Sequence, residues 1–225
     1  MKGRPAGQVG SITTVPAAIA GPWDLSRLPV GLTPGRVQEL LDALFELGPF
    51  GFQGPARAGL PSWLTSLDHG RMTAQVIAPG YACPSNAFFR AALTRSGEEM
   101  LFITSANQSR HLTGTDDAPA HWRATDLIAD FGTHPDFVLL AHDDEVAARS
   151  RYPTQLPMST SVPALHATTT TVSGDRRPHL TLTRHGSLSA AVISTVLASL
   201  GLGLVLAPNA RTRLRPRGYD GALRS

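Results

Sequence analysis

The segment Met100-Leu101-Phe102-Ile103-Thr104-Ser105-Ala106-Asn107 joins an apolar run to a small-residue polar loop. A short apolar run bounded by turn-forming residues reads as a buried strand. The loop after it has side chains small enough for backbone N–H groups to approach an anion, and in open α/β sheets ligands collect where such loops leave the strands. The pairing predicts an α/β chain with a nucleotide-type site at the Thr104-Ser105-Ala106-Asn107 loop.

The same alternation of strand and helix recurs on both sides. Upstream, Ser85 opens a helix in which Phe88, Phe89, Ala92 and Leu93 are expected to face the core, and Gly97 ends it. Gln75-Val76-Ile77 reads as the strand before that helix. Thr33-Pro34 supplies an N-cap and a first-turn proline for an earlier helix, whose Val37, Leu40, Leu41 and Leu44 share one face until Gly48-Pro49 stops it. A strand is expected over 8–15, and the glycine- and proline-rich stretch 48–70 is expected to be a long surface loop. Downstream, the pattern predicts a helix over 120–128, a strand over 137–140, a polar loop over 153–163 holding Ser159-Thr160-Ser161, and a strand over 180–183. Ser187 or Ser189 caps the final helix.

With 225 residues, of which 42% are hydrophobic and 16% charged, the chain can bury a full core as one domain. It has no internal repeat. A single cysteine, Cys83, excludes an intrachain disulfide and a multi-cysteine zinc site, which fits a reducing cytoplasm. The apolar stretch 188–206 approaches membrane-spanning length, but Ser189, Ser194, Thr195, Ser199, Gly201 and Gly203 favour a buried terminal helix. The net charge of +3 owes much to Arg211, Arg213, Arg215 and Arg217. The run 211–217 offers phosphate contacts to RNA, yet with no aromatic residue interleaved among these arginines the tail, 208–225, reads as a solvated, disordered extension. His134, Asp136, His142, Asp143 and Asp144 lie near the strand expected over 137–140. The two histidines flank it at opposite ends, so no metal site is expected, and Asp143-Asp144-Glu145 suits a helix start instead.

Four elements occur in a telling order: Lys2-Gly3-Arg4-Pro5, which holds the only lysine, then Ile103-Thr104-Ser105-Ala106-Asn107-Gln108-Ser109, then Ser159-Thr160-Ser161-Val162, then Leu182-Thr183-Arg184-His185-Gly186. Together they resemble the YrdC-like threonylcarbamoyl-AMP synthase family, which carries a Lys-x-Arg-Pro element, a Ser-Ala-Asn-x-Ser-Gly loop, a Ser-Thr-Val segment and a final Arg-x-Gly. The resemblance covers most of the chain. It implies a single YrdC-like domain over 1–207, a twisted mixed sheet with flanking helices and a basic concave face. It also implies an activity: L-threonine, bicarbonate and ATP condense to threonylcarbamoyl-adenylate and pyrophosphate, for later modification of a tRNA adenosine, with magnesium carried in by ATP.

On this resemblance Lys2 and Arg4 are the catalytic cations. Arg4, Gln8, Ser105, Asn107, Thr113 and Arg184 bind the nucleotide, and Thr13 and Ile103 touch the substrate. The residue types suit the chemistry, because adenylation concentrates negative charge on phosphates and fixed cations with aimed N–H groups answer it without a nucleophile. Three departures accompany the match. Arg110 stands where the family has glycine, and Ile77-Ala78-Pro79 and Cys83-Pro84 lack the arginine that family members place before a proline for the threonine carboxylate. The family's Pro-Thr-x-Thr-x-Tyr-Gly-Leu strand does not precede Lys2, so the domain over 1–207 lacks the family's first strand and helix: either the natural chain starts further upstream, which is the expectation, or the protein does without that part of the fold. The alternatives are a non-catalytic nucleotide- or RNA-binding module of this fold, or a carbamoyltransferase-related domain.

Overall fold

Thr33 opens the first long helix by accepting a hydrogen bond from the Arg36 amide at 3.3 Å, and Pro34 follows it in the first turn. This helix, α1 (Pro34–Phe45), buries Val37, Leu40, Leu41, Leu44 and Phe45. Each such burial contributes about 1.5–3 kcal/mol relative to exposure. The computed structural model describes residues 10–107, 119–141, 144–169 and 175–219. The expected strand over 8–15 narrows to β1 (Ser11–Thr13), with residues 8 and 9 outside the described part.

The stretch 48–70 is not a surface loop. It contains β2 (Phe50–Pro55) and β3 (Thr65–Asp68), and Phe50 and Phe52 are fully buried. The glycines that suggested turns serve close packing. A Cβ on Gly51 would press on Ile77 and Val162 at 3.0 Å, and one on Gly54 would press on the Trp23 ring at 3.0 Å. The hairpin partner β4 (Arg71–Ala78) contains the expected Gln75-Val76-Ile77 strand.

Helix α2 (Ser85–Ser96) follows, N-capped by Pro84, with Gly97 at its C-cap. Its apolar residues do not enter the core: Phe88 is 50% exposed and no residue of the helix is buried. The core face is already filled by α1 and the last helix. Strand β5 (Leu101–Ile103) forms as expected, and α3 (Ala124–Phe131) starts later than the 120–128 pattern suggests. Residues 137–140 are not a strand, and Val138 and Leu140 are 84% and 66% exposed. Among the described residues no strand pairs with them, and a lone strand leaves its backbone groups without partners. Asp144 caps α4 (Glu145–Ser150), accepting from the Val146 and Ala147 amides, in keeping with the expected acidic helix start.

Strands β6 (Val162–Thr169) and β7 (His179–Arg184) form an antiparallel pair. Ser189 then caps α5 (Ala190–Ser199), and the chain turns into β8 (Gly203–Leu206). The stretch 188–206 is therefore a short helix plus an edge strand, and among the described residues no helix is long and apolar enough to cross a membrane. Arg36 locks α1 to α5, donating to the Leu200 carbonyl at 2.7 Å and the Gly201 carbonyl at 3.2 Å.

The fold is α/β, with a mixed eight-stranded sheet in the order β5-β1-β4-β2-β6-β7-β8 and β3 beside β4. Beta-4 pairs β2 along one edge, while β3 and β1 share its other edge end to end. Ile12, Phe50, Phe52, Val76, Leu165, Leu180 and Leu182 point to the side covered by α1 and α5, where the core sits. The segment 208–219 is not a free extension: Ala210 is fully buried, and Asn209 donates to the Thr183 carbonyl at 3.0 Å. Arg213 and Arg217 donate to main-chain carbonyls of the domain and so help to hold the segment in place. Residues 220–225 lie outside the described part.

Candidate functional site

Side chains alternate along a strand, so the residues between the core positions face the other way. On that second face Gln75 donates to Ser11 Oγ at 2.5 Å, and Gln53 donates to Thr73 Oγ1 at 2.9 Å. Asp68 receives His166 Nε2 at 2.9 Å. Burial lowers the His166 pKa, outweighing the opposing pull of Asp68. The face is polar, and its described strand residues are mostly uncharged; Lys2 and Arg4, which would make it basic, lie outside the described residues.

The strand directions define two ends of the sheet. At one end β4 and β1 finish, β2 and β6 begin, and β7 finishes at Arg184. Here the loops around Gly48-Pro49, Gly80–Pro84, 149–161 and 184–188 converge on a cavity of about 340 Å³. Pro49, Trp122, Tyr152, Leu156 and Met158 give it a largely apolar wall, with Arg149, Cys83, Thr160 and Ser187 among the polar contributions. The Tyr152 hydroxyl is pushed up to about 12 by burial and by the neighbouring Cys83 thiol. In the wall, Gln155 Oε1 and Ser187 Oγ are buried with no hydrogen-bond partner among the described residues. Such orphaned groups mark places where a bound molecule improves the polar accounting.

Arg184 stands behind this wall. Its Nε donates to the Thr160 carbonyl at 2.7 Å and its Nη2 to the Thr160 hydroxyl at 3.0 Å. Burial lowers its pKa to about 10, so it stays cationic at neutral pH, and no carboxylate among the described residues pairs with it. Ser161 Oγ accepts from the Gly186 amide at 2.9 Å and donates to the Leu188 carbonyl at 2.6 Å, binding the two motif loops together. A Cβ on Gly186 would run into the Ser159 and Thr160 backbone, so the Arg-His-Gly loop needs its glycine.

The Ser-Ala-Asn loop lies elsewhere. Because β5 runs antiparallel to β1, with Ser11 opposite Ile103 and Thr13 opposite Leu101, the loop leaves the sheet at the end where β4 begins. The rule that ligands gather beyond carboxyl ends thus points β5 to the end opposite Arg184. Ser105 Oγ donates to Asn107 Oδ1 at 2.5 Å, and Asn107 is 6% exposed. These two predicted residues meet each other, and Ile103 sits just before them. Thr13, 2% exposed, lies at the end of the strands that Arg184 shares. Lys2, Arg4, Gln8 and Thr113 lie outside the described residues.

Sequence reasoning missed Trp122, Arg149, Tyr152 and Gln155. Arg149, Tyr152 and Gln155 recur every third residue from the end of α4 into the stretch after it, Trp122 comes from a separate loop, and only the Ser159-Thr160-Ser161 loop beside them carried a signal. Among the described residues no cluster of histidine, cysteine or carboxylate side chains is placed to hold a metal ion. Comparison with family models, curated proteins and solved structures finds no match to this chain.

Proposed function

We propose that the chain is a cytoplasmic YrdC-like enzyme that forms a threonylcarbamoyl-adenylate-type intermediate from ATP, bicarbonate and an amino acid, L-threonine in the family it resembles. The observation that carries this reading is Arg184, a largely desolvated guanidinium with no described carboxylate partner, held behind the cavity wall by its hydrogen bonds to the lining residue Thr160. A buried cation without a counter-charge is costly unless an anion binds there. Nucleotide phosphates are anions of the right kind, and a planar guanidinium suits them. Arg184 braces the adenylate, Thr160 fixes its orientation, and Lys2 and Arg4 neutralise the charge that develops as pyrophosphate leaves. Magnesium enters with ATP, whose phosphate oxygens are its ligands, and a tRNA adenosine is the downstream acceptor.

The test is pyrophosphate release from MgATP and bicarbonate with each amino acid in turn. Threonine-dependent release supports the synthase. A second reading, a non-catalytic nucleotide- or RNA-binding module, is favoured by the separation of the Ser105–Asn107 pair from Arg184 across the sheet. ATP binding without pyrophosphate release for any amino acid favours that module.

A further inference from the structure

The C-terminal segment reaches the cavity at two of its lining residues, Ser187 and Trp122. Trp122 Nε1 donates to the Arg217 carbonyl at 3.1 Å, and its amide donates to the Tyr219 hydroxyl at 3.1 Å. The Tyr219 ring meets the indole edge-to-face at 5.3 Å between centroids. On the indole itself lies the Arg149 guanidinium, 5.0 Å from the ring centroid, and both residues line the cavity. The same segment is tied down along its length. Arg213 donates to the Gly186 and Ser187 carbonyls, the Leu214 amide donates to the His185 carbonyl at 2.9 Å, and Arg217 donates to the Pro119 carbonyl at 3.0 Å. It therefore bridges the Arg-His-Gly loop on one side of the cavity to Trp122 on the other.

We infer that the Trp122–Arg149 pair is the platform on which the cavity takes a planar heteroaromatic base, and that the C-terminal segment is the brace that holds this platform in place. The inference rests on the nucleotide reading above and adds the base-binding element to it. A guanidinium lying over an indole forms a layered planar cationic and aromatic surface, the combination that stacks a base while attracting its phosphates. Neither residue reaches the cavity from a motif. Trp122 has few rotamers of its own to lose, and its two N–H groups are both committed to the tail, so its position depends on residues 217 and 219. Tyr219 in turn carries the Arg123 guanidinium, 4.8 Å from its ring centroid.

The experiment compares binding of ATP with binding of inorganic tripolyphosphate by titration calorimetry, using the full chain. Base stacking accounts for roughly a tenfold gain in affinity. In Trp122→Ala the ATP affinity is expected to fall about tenfold while tripolyphosphate binding stays within about twofold, and Trp122→Phe recovers most of the loss. Tyr219→Phe, which removes only the hydroxyl that holds the Trp122 amide, is expected to weaken ATP about threefold and leave tripolyphosphate alone. Equal losses for both ligands, or no loss of ATP binding in a folded Trp122→Ala protein, overturn the inference and leave the function reading standing. Failure of the wild-type protein to bind either ligand overturns both. A tripolyphosphate affinity equal to that of ATP in the wild type overturns the base platform alone.

Discussion

Arg184 and Thr160 form a two-point contact, with the guanidinium Nε on the Thr160 carbonyl at 2.7 Å and Nη2 on its hydroxyl at 3.0 Å. The contact aims a cation without giving it a counter-charge. Hydrogen bonds to a carbonyl and a hydroxyl fix direction, whereas a carboxylate would have neutralised the group and removed its attraction for phosphate. Replacing Arg184 with Met keeps the stem and removes both the charge and its desolvation penalty. Pyrophosphate and ATP binding should weaken by more than tenfold, a loss of at least about 1.4 kcal/mol. The thermal midpoint should move by no more than about 4 °C, since two modest hydrogen bonds are exchanged for a relieved buried charge. A large drop in midpoint with unchanged pyrophosphate affinity would make Arg184 a structural residue.

Gly186 is where the two motif loops touch, because a Cβ there would collide with the Ser159 and Thr160 backbone. Backbone cannot swing aside as a flexible side chain does. Gly186→Ala should cost about 1–3 kcal/mol through overpacking, visible as a lowered midpoint in thermal unfolding. It should also weaken ATP binding, since Thr160 is displaced with Arg184's anchor. An alanine variant with the wild-type midpoint and affinity would show that the loops have room to separate.

His166 gives the fold a pH dependence of defined sign. Its pKa lies below the ordinary 6.5 because it is buried, despite Asp68 beside it. The unfolded chain then takes up the proton first as pH falls. Stability from this group is complete above about pH 6.5 and is lost as pH drops below it, at no more than about 1.4 kcal/mol per pH unit. Urea midpoints measured from pH 7 to pH 5 should fall for the wild type and fall less steeply for His166→Gln. Parallel slopes would remove His166 from the acid response.

Some of this architecture is legible in the sequence for physical reasons that particular residues make plain. Helix α1 announces itself because Thr33, Pro34 and the Val37-Leu40-Leu41-Leu44 spacing all act locally. Strand β2 hides because Gly51, Gly54 and Pro55 look like turn residues, and only Trp23 and Val162, distant in sequence, explain why glycine is needed there. The apolar run 137–140 misleads because a strand needs a partner edge, which no local pattern can supply. Within the candidate site, the hydroxyl-rich Ser159-Thr160-Ser161 loop and Arg184 are visible as motifs. Trp122, Arg149 and Tyr152 are not, since the stretch from Arg149 to Tyr152 carries no motif and only tertiary packing brings Trp122 to it. The relative placement of motifs is equally invisible. Only the antiparallel pairing of β5 with β1 reveals that the Ser-Ala-Asn loop and Arg184 leave opposite ends of the sheet.

That separation turns the relation of Arg4 to Arg184 into a decisive measurement. Both are assigned to the nucleotide, one through the Lys-x-Arg-Pro element and one through Arg-x-Gly. If they hold the same phosphates, each depends on the other to position the ligand, and removing both costs less than the sum of the single losses. Arg4→Ala alone should abolish measurable ATP binding at micromolar concentrations with the thermal midpoint unchanged, because the resemblance assigns Arg4 to the ligand and not to the core. Tripolyphosphate titrations at higher concentration on Arg4→Ala, Arg184→Met and the double variant complete the cycle. A coupling of about 1 kcal/mol or more places both cations on one ligand, as the synthase requires. Additive losses would assign them to separate anion sites, and the adenylate-forming reading would give way to the binding module.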